Sequence, residues 1–153
     1  MTKVSEHFIL EEFINPDTFK REKDNGLSLI DKKLFDIAEF IRVDLGVPIT
    51  INDWHTGGQY HESGLRDKNS TTGAKLSQHK LGKAIDVKAK GYGGAEWYDY
   101  VKKNAKKLYD LGVRRIEDKS IATTWLHIDT KEHGGNFIEV VDLVKIVEEI
   151  KIT

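Results

Sequence analysis

Hydrophobic and polar positions along the chain follow two periods, and the switches between them outline the elements. From Asp31 to Leu45 the apolar residues Leu34, Phe35, Ile37, Ala38, Ile41 and Leu45 recur at helical spacing, with Gly46 as a stop. Ala95 to Leu111 repeats the pattern with Trp97, Tyr98, Val101, Ala105 and Leu108, which predicts a second long helix. Ile49 to Trp54, Leu81 to Val87 and Trp125 to Asp129 alternate with period two and read as strands, and Val113 to Glu117 as a fourth, short one. Upstream, Ser5 followed by Phe8, Ile9, Phe13 and Ile14 predicts a short capped helix lying as a lid on the core and ending at the turn Asn15-Pro16-Asp17. Phe137 to Ile150 satisfies both templates in turn and is read as a strand followed by a short helix. Residues 55 to 78 have neither period. They form a polar, Gly-rich stretch, and loops of that length in compact domains are often functional.

With 153 residues, 39% of them hydrophobic and 32% charged, the chain is of the size and composition to fold as one domain with its own core. The expectation is an α+β domain divided into an N-terminal helical segment 5–45, a central part 47–130 and a C-terminal extension 131–153. Its 24 basic and 25 acidic residues nearly cancel, which removes the electrostatic basis for binding nucleic acid or an anionic membrane. The apolar run Phe8-Ile9-Leu10 is interrupted at once by Glu11 and Glu12, so neither a signal peptide nor a membrane span is expected, and synthesis in the cytoplasm is. Cysteine is absent, so any metal must be held by histidine and carboxylate. The Lys102, Lys103, Lys106 and Lys107 cluster lies opposite the apolar stripe of its helix and reads as a solvated face.

Alternation assigns faces to the candidate ligands. If Ile85 and Val87 point into the core, Asp86 points away from it; if Leu126 and Ile128 are core residues, then Trp125, His127 and Asp129 share the other face. His79 precedes Asp86 by seven positions. Should the two strands be neighbours, His79, Asp86 and His127 form a set of two histidines and one carboxylate, which leaves a tetrahedral zinc one open position, as a catalytic site requires. Taken singly, each has a plainer reading: a loop histidine, a hydrogen-bonded strand aspartate and a half-buried histidine. Asp129, on the face of His127, is suited to orient a ligand histidine by accepting its second N–H.

Ser77, His79, Gly82, Ala84 and Asp86, in the order Ser-x-His-x-x-Gly-x-Ala-x-Asp, followed downstream by Trp125-x-His127-x-Asp129, resemble the paired motifs of the D-Ala-D-Ala carboxypeptidase and VanY-type zinc peptidases. The similarity runs from about Val47 to Thr130, and His7 to Phe13 also resembles an N-terminal segment of phage and bacterial members. The resemblance implies a hedgehog/DD-peptidase-like fold with a small antiparallel sheet, one zinc per chain at His79, Asp86 and His127, and hydrolysis of peptidoglycan stem peptides or cross-links by a phage-type, endolysin-like enzyme acting on the wall after release or as part of a virion. Many members carry a carboxylate three residues before the last ligand. Thr124 stands there in this chain. Other branches place a glutamate at the end of the preceding strand, which brings Glu117 and Asp118 forward as the catalytic base. If Ile116 faces the core, then Val113, Arg115 and Glu117 face the site, so Glu117 is preferred, and its plainer reading is a surface carboxylate paired with Arg114 or Arg115. For the substrate, Arg66 and Ser77 are candidates to hold a terminal carboxylate, His55 and His61 to line the cleft and Trp125 to wall it. The family's Ser-Gly-Tyr-Arg after the first strand is replaced here by Asn52-Asp53-Trp54-His55, leaving carboxypeptidase and endopeptidase both open. Thr124 also admits a zinc-binding wall-binding or virion protein of the same fold with little or no turnover, and coincidental motifs would leave a metal-independent interaction domain.

Overall fold

The computed structural model describes residues 1–74 and 77–153, and among them the chain forms one α+β domain: a five-stranded mixed sheet with helices against it. The helices are α1 (Pro16–Glu22), α2 (Lys33–Leu45), α3 (Gly94–Lys103) and α4 (Ala105–Leu111). The strands are β1 (Ala84–Val87), β2 (Arg115–Glu117), β3 (Leu126–Asp129), β4 (Phe137–Val141) and β5 (Ile146–Lys151), in the spatial order β1-β3-β2-β4-β5. Pairing is antiparallel except between β2 and β4, which run parallel. The sheet is therefore mixed, where an antiparallel one was expected.

One face of the sheet carries the core. Ile85 and Val87, Leu126 and Ile128, Ile116, Ile138 and Val140 are all buried, together with Leu34, Ile37 and Ile41 of α2, Trp97 and Val101 of α3 and Leu108 of α4. Burial of this continuous apolar layer is the dominant favourable contribution to folding. Helix α2 ends at Gly46, whose N–H returns to the Arg42 carbonyl. The predicted long helix over 95–111 is two helices, because the backbone leaves helical geometry at Asn104, whose backbone N–H and side-chain amide both donate to the Tyr100 carbonyl. The lysine cluster on α3 and α4 is exposed.

Three other expectations are corrected. Asn15-Pro16 begins a helix: the Asn15 side chain accepts from the Thr18 N–H at 2.8 Å and Pro16 takes the first helical position, where its missing N–H costs nothing. The segment before it has only a short 3-10 turn, Leu10–Phe13, but it does cover the core, with Phe8, Leu10, Phe13 and Ile14 buried. Ile49–Trp54 is not a strand; it makes a single bridge, Thr50 to Lys88, and then the Asn52 and Trp54 side chains turn to donate to the Ile14 carbonyl. The short helix expected near the C-terminus is β5, which pairs with β4 through Ile150 and Ile138 and gives the C-terminal extension two strands of the same sheet. Among the described residues no helix is long and apolar enough to cross a membrane.

Candidate metal centre

The sheet face opposite the core forms the floor of a cleft of about 780 Å³. Asp86 on β1 and His127 on β3 are directly opposed cross-strand partners, so one register fixes their spacing. His79 comes from the turn before β1. Its own segment is held by Ser77, whose Oγ accepts from the His79 N–H at 3.2 Å, and by Gly82, where φ is 70° and a side chain would run into the Leu29 carbonyl oxygen at 1.9 Å. Ala84 is fully buried. Seen this way, the small residues of the Ser-x-His-x-x-Gly-x-Ala-x-Asp motif are what permit the turn to pack tightly enough to deliver His79 beside Asp86.

The two imidazoles have their outer nitrogens fixed. His79 Nδ1 lies 2.9 Å from the Gly64 carbonyl and His127 Nε2 lies 3.0 Å from Asp129 Oδ2. Both partners can only accept, so both of these nitrogens donate. What remains is His79 Nε2 at 3.2 Å and His127 Nδ1 at 3.0 Å from the same Asp86 oxygen, Oδ1. The three donor atoms lie within 4.8 Å of one another. Two imidazole lone pairs and a carboxylate oxygen aimed at one place need a cation between them, either a proton or a metal ion, and a set of two nitrogens and one oxygen fits a first-row divalent metal.

Protonation follows the same geometry. Burial opposes charge on His127, but its hydrogen bonds to Asp129 and Asp86, with Glu117 nearby, push its pKa up to about 10. Burial likewise opposes ionisation of Asp86, yet the two histidines hold its carboxyl far below the usual carboxylate range. Asp129, buried as it is, is kept low by His127 and Arg115. Arg115 grips Asp129 with Nε and Nη2 at 3.0 Å each.

Glu117 lies at the end of β2 with Oε1 3.7 Å from His127 Nδ1, at the edge of the ligand cluster. Arg114 and Arg115, the arginines of its plainer reading, are engaged elsewhere, Arg114 with Glu132 and Arg115 with Asp129. Asp118 does not line the cleft; its carboxylate bonds Ser120 in the following turn. Val113, expected on the site face, is fully buried in the core, because pairing begins only at Arg115 and the alternation does not reach back to it. Thr124 is exposed and outside the cleft lining.

Arg66, Ser77 and Trp125 line the cleft. Arg66 is partly committed: Nε donates to the Glu62 carbonyl at 2.7 Å, while Nη2 approaches Asp86 Oδ2 only to 3.5 Å. His55 and His61 are not in the cleft. The loop that carries them is drawn onto the N-terminal segment by the Asn52 and Trp54 bonds to Ile14, leaving His55 against Trp54 and His61 in a separate polar depression beside Asn15 and Asp67. Sequence reasoning missed the far wall of the cleft, supplied by Glu139 and Val141 of β4, by Leu143 and Val144 of the β4–β5 turn and by Ile146 of β5. It also missed the Gly64 carbonyl, a backbone group with no sequence signal. Comparison of the chain with family models, with curated proteins and with solved structures found no match.

Proposed function

We propose that this chain is a zinc-dependent peptidase of the D-Ala-D-Ala carboxypeptidase and VanY type, with the hedgehog/DD-peptidase fold, hydrolysing an amide bond in peptidoglycan stem peptides or cross-links as a phage-type lysin does. The observation that carries the reading is the convergence of His79 Nε2, His127 Nδ1 and Asp86 Oδ1 on one point at the cleft floor with the Glu117 carboxylate beside it.

His79, Asp86 and His127 would hold one zinc ion. When bound, zinc supplies Lewis acidity toward the scissile carbonyl and lowers the pKa of water toward about 7. Glu117 takes a proton from the attacking water and delivers it to the leaving amine, the two transfers a single well-placed carboxylate can perform in turn. Asp129 holds the His127 ring so that Nδ1 faces inward. Arg66 and the Ser77 hydroxyl, both on the cleft wall, present donors to a substrate carboxylate or carbonyl, and Trp125 offers a flat apolar wall.

One observation favours a second reading. Thr124, where many members of that family have a carboxylate, is turned to solvent, and a chain without that group is compatible with a zinc-binding wall-binding or virion protein of little turnover. To separate the two, the zinc-loaded protein is incubated with peptidoglycan of several chemotypes and the products are weighed by mass spectrometry. The peptidase reading expects new amine termini on at least one of them. Their absence from all would leave the binding role.

A further inference from the structure

Behind His127 the structure builds a second connection, which reaches across to β2. Asp129 is fully buried. A carboxylate in that position must be paired. It is paired twice over: Oδ2 accepts from His127 Nε2 at 3.0 Å and from Arg115 Nη2 at 3.0 Å, and Oδ1 accepts from Arg115 Nε at 3.0 Å and from the Lys131 backbone N–H at 3.2 Å. The carboxylate therefore has no freedom to rotate without losing several charge-assisted bonds at once.

The register shows that this pairing is a choice. Arg115 sits between two carboxylates, with Asp129 as its cross-strand partner on β3 and Glu139 as its partner on β4. Its guanidinium goes to Asp129 with three contacts between 3.0 and 3.2 Å. A fork of two parallel N–H groups fixes the plane of the carboxylate, which a lysine ammonium cannot do. With that plane fixed, Oδ2, which accepts from both Arg115 and His127, fixes the His127 ring.

We infer that Arg115 is a positioning residue for the metal centre: by clamping Asp129 it dictates that His127 presents Nδ1, and not Nε2, toward Asp86 and the ion that His79, Asp86 and His127 would hold. The inference rests on the metal reading above and adds to it the residue that sets which nitrogen binds. The relay Arg115–Asp129–His127–Asp86 crosses β2, β3 and β1 in turn: the Asp129–His127 step lies within one strand, and strand order brings Arg115 and Asp86 to its two ends.

The test compares wild type with Arg115→Gln and Arg115→Lys. Zinc affinity is measured by competition with a chromophoric chelator at neutral pH, and the His127 ring nitrogens are followed by long-range proton–nitrogen NMR of the zinc-loaded protein. In wild type, His127 is expected to show a protonated Nε2 and a metal-bound Nδ1. Arg115→Gln is expected to weaken zinc binding about tenfold or more, the lower end of what loss of an outer partner costs, and to lose the single His127 nitrogen pattern; Arg115→Lys restores the charge but not the fork and should recover only part of both. A purely structural arginine would lower the melting temperature of Arg115→Gln and leave the His127 signals and the zinc affinity at wild-type values, which would overturn the inference while leaving the metal reading intact. Wild-type protein that takes up no zinc would overturn both.

Discussion

The two ends of the sheet line the same cleft and are built on opposite plans. At the β1–β3 end all four residues of β3 are buried, and His79, Asp86, His127 and Asp129 have hydrogen-bond partners that fix their atoms to within a single arrangement. At the β4–β5 end the turn exposes Leu143 by 79% and Val144 by 91%, with Ile146 and Val147 about half exposed. The first end is preorganised, so its geometry exists before any ligand arrives. The second is a solvent-exposed rim, its turn closed by the Asp142 carboxylate, which accepts from the Val144 and Lys145 N–H groups. Burial therefore marks the proposed metal centre, and exposure marks the rim around it.

Substitutions at the two ends should diverge accordingly. The largest effect is expected from His127→Ala, which should abolish stoichiometric zinc binding, measured by elemental analysis, because two ligands no longer close the site. Next, Glu117→Gln should lower turnover of a susceptible peptidoglycan by about two to four orders of magnitude while zinc content stays at the wild-type level. Activity near wild type in that variant would move the proton transfer to another group.

The pH dependence of stability sharpens the same contrast. In the metal-free protein the His127 pKa is raised from 6.5 to about 10, so its contribution is present in full below 6.5 and is lost as the pH rises through about 10. Thermal melts in chelator should thus show falling stability toward the alkaline end of that window. Zinc takes the place of the proton, releasing it on binding, and should flatten the dependence. The smallest effect is expected at the rim: Leu143→Ser and Val144→Ser, alone or together, should change unfolding free energy by no more than about 0.5 kcal/mol each, since both side chains are already in water.

How far the sequence reaches can be traced residue by residue. Period-two alternation was enough to turn Asp86 and His127 away from the core, because Ile85, Val87, Leu126 and Ile128 leave no other choice. It said nothing of which strands are neighbours, and so neither the Arg115–Asp129 clamp nor the contribution of β4 and β5 to the cleft was visible. Local signals failed where one residue type serves two purposes. Asn15-Pro16 reads equally as a helix stop and a helix start, and only the Asn15 to Thr18 bond decides. Ile49–Trp54 alternates like a strand, but the Asn52 and Trp54 side chains find the Ile14 carbonyl, a partner far away in the chain, and the loop carrying His55 and His61 is pulled from the cleft with them. Glu117 was legible as facing the site. That Arg114 and Arg115 would be engaged by Glu132 and Asp129, leaving Glu117 beside the ligands, was a matter of tertiary partners.

The central claim is a metal ion held by His79, Asp86 and His127, and the most direct measurement is the metal content of wild-type protein purified from zinc-replete medium. The account expects about one zinc per chain, retained through dialysis against metal-free buffer and lost when Asp86 is replaced by alanine. Protein that comes through the same purification without metal, and takes none up when zinc is added back, would contradict it.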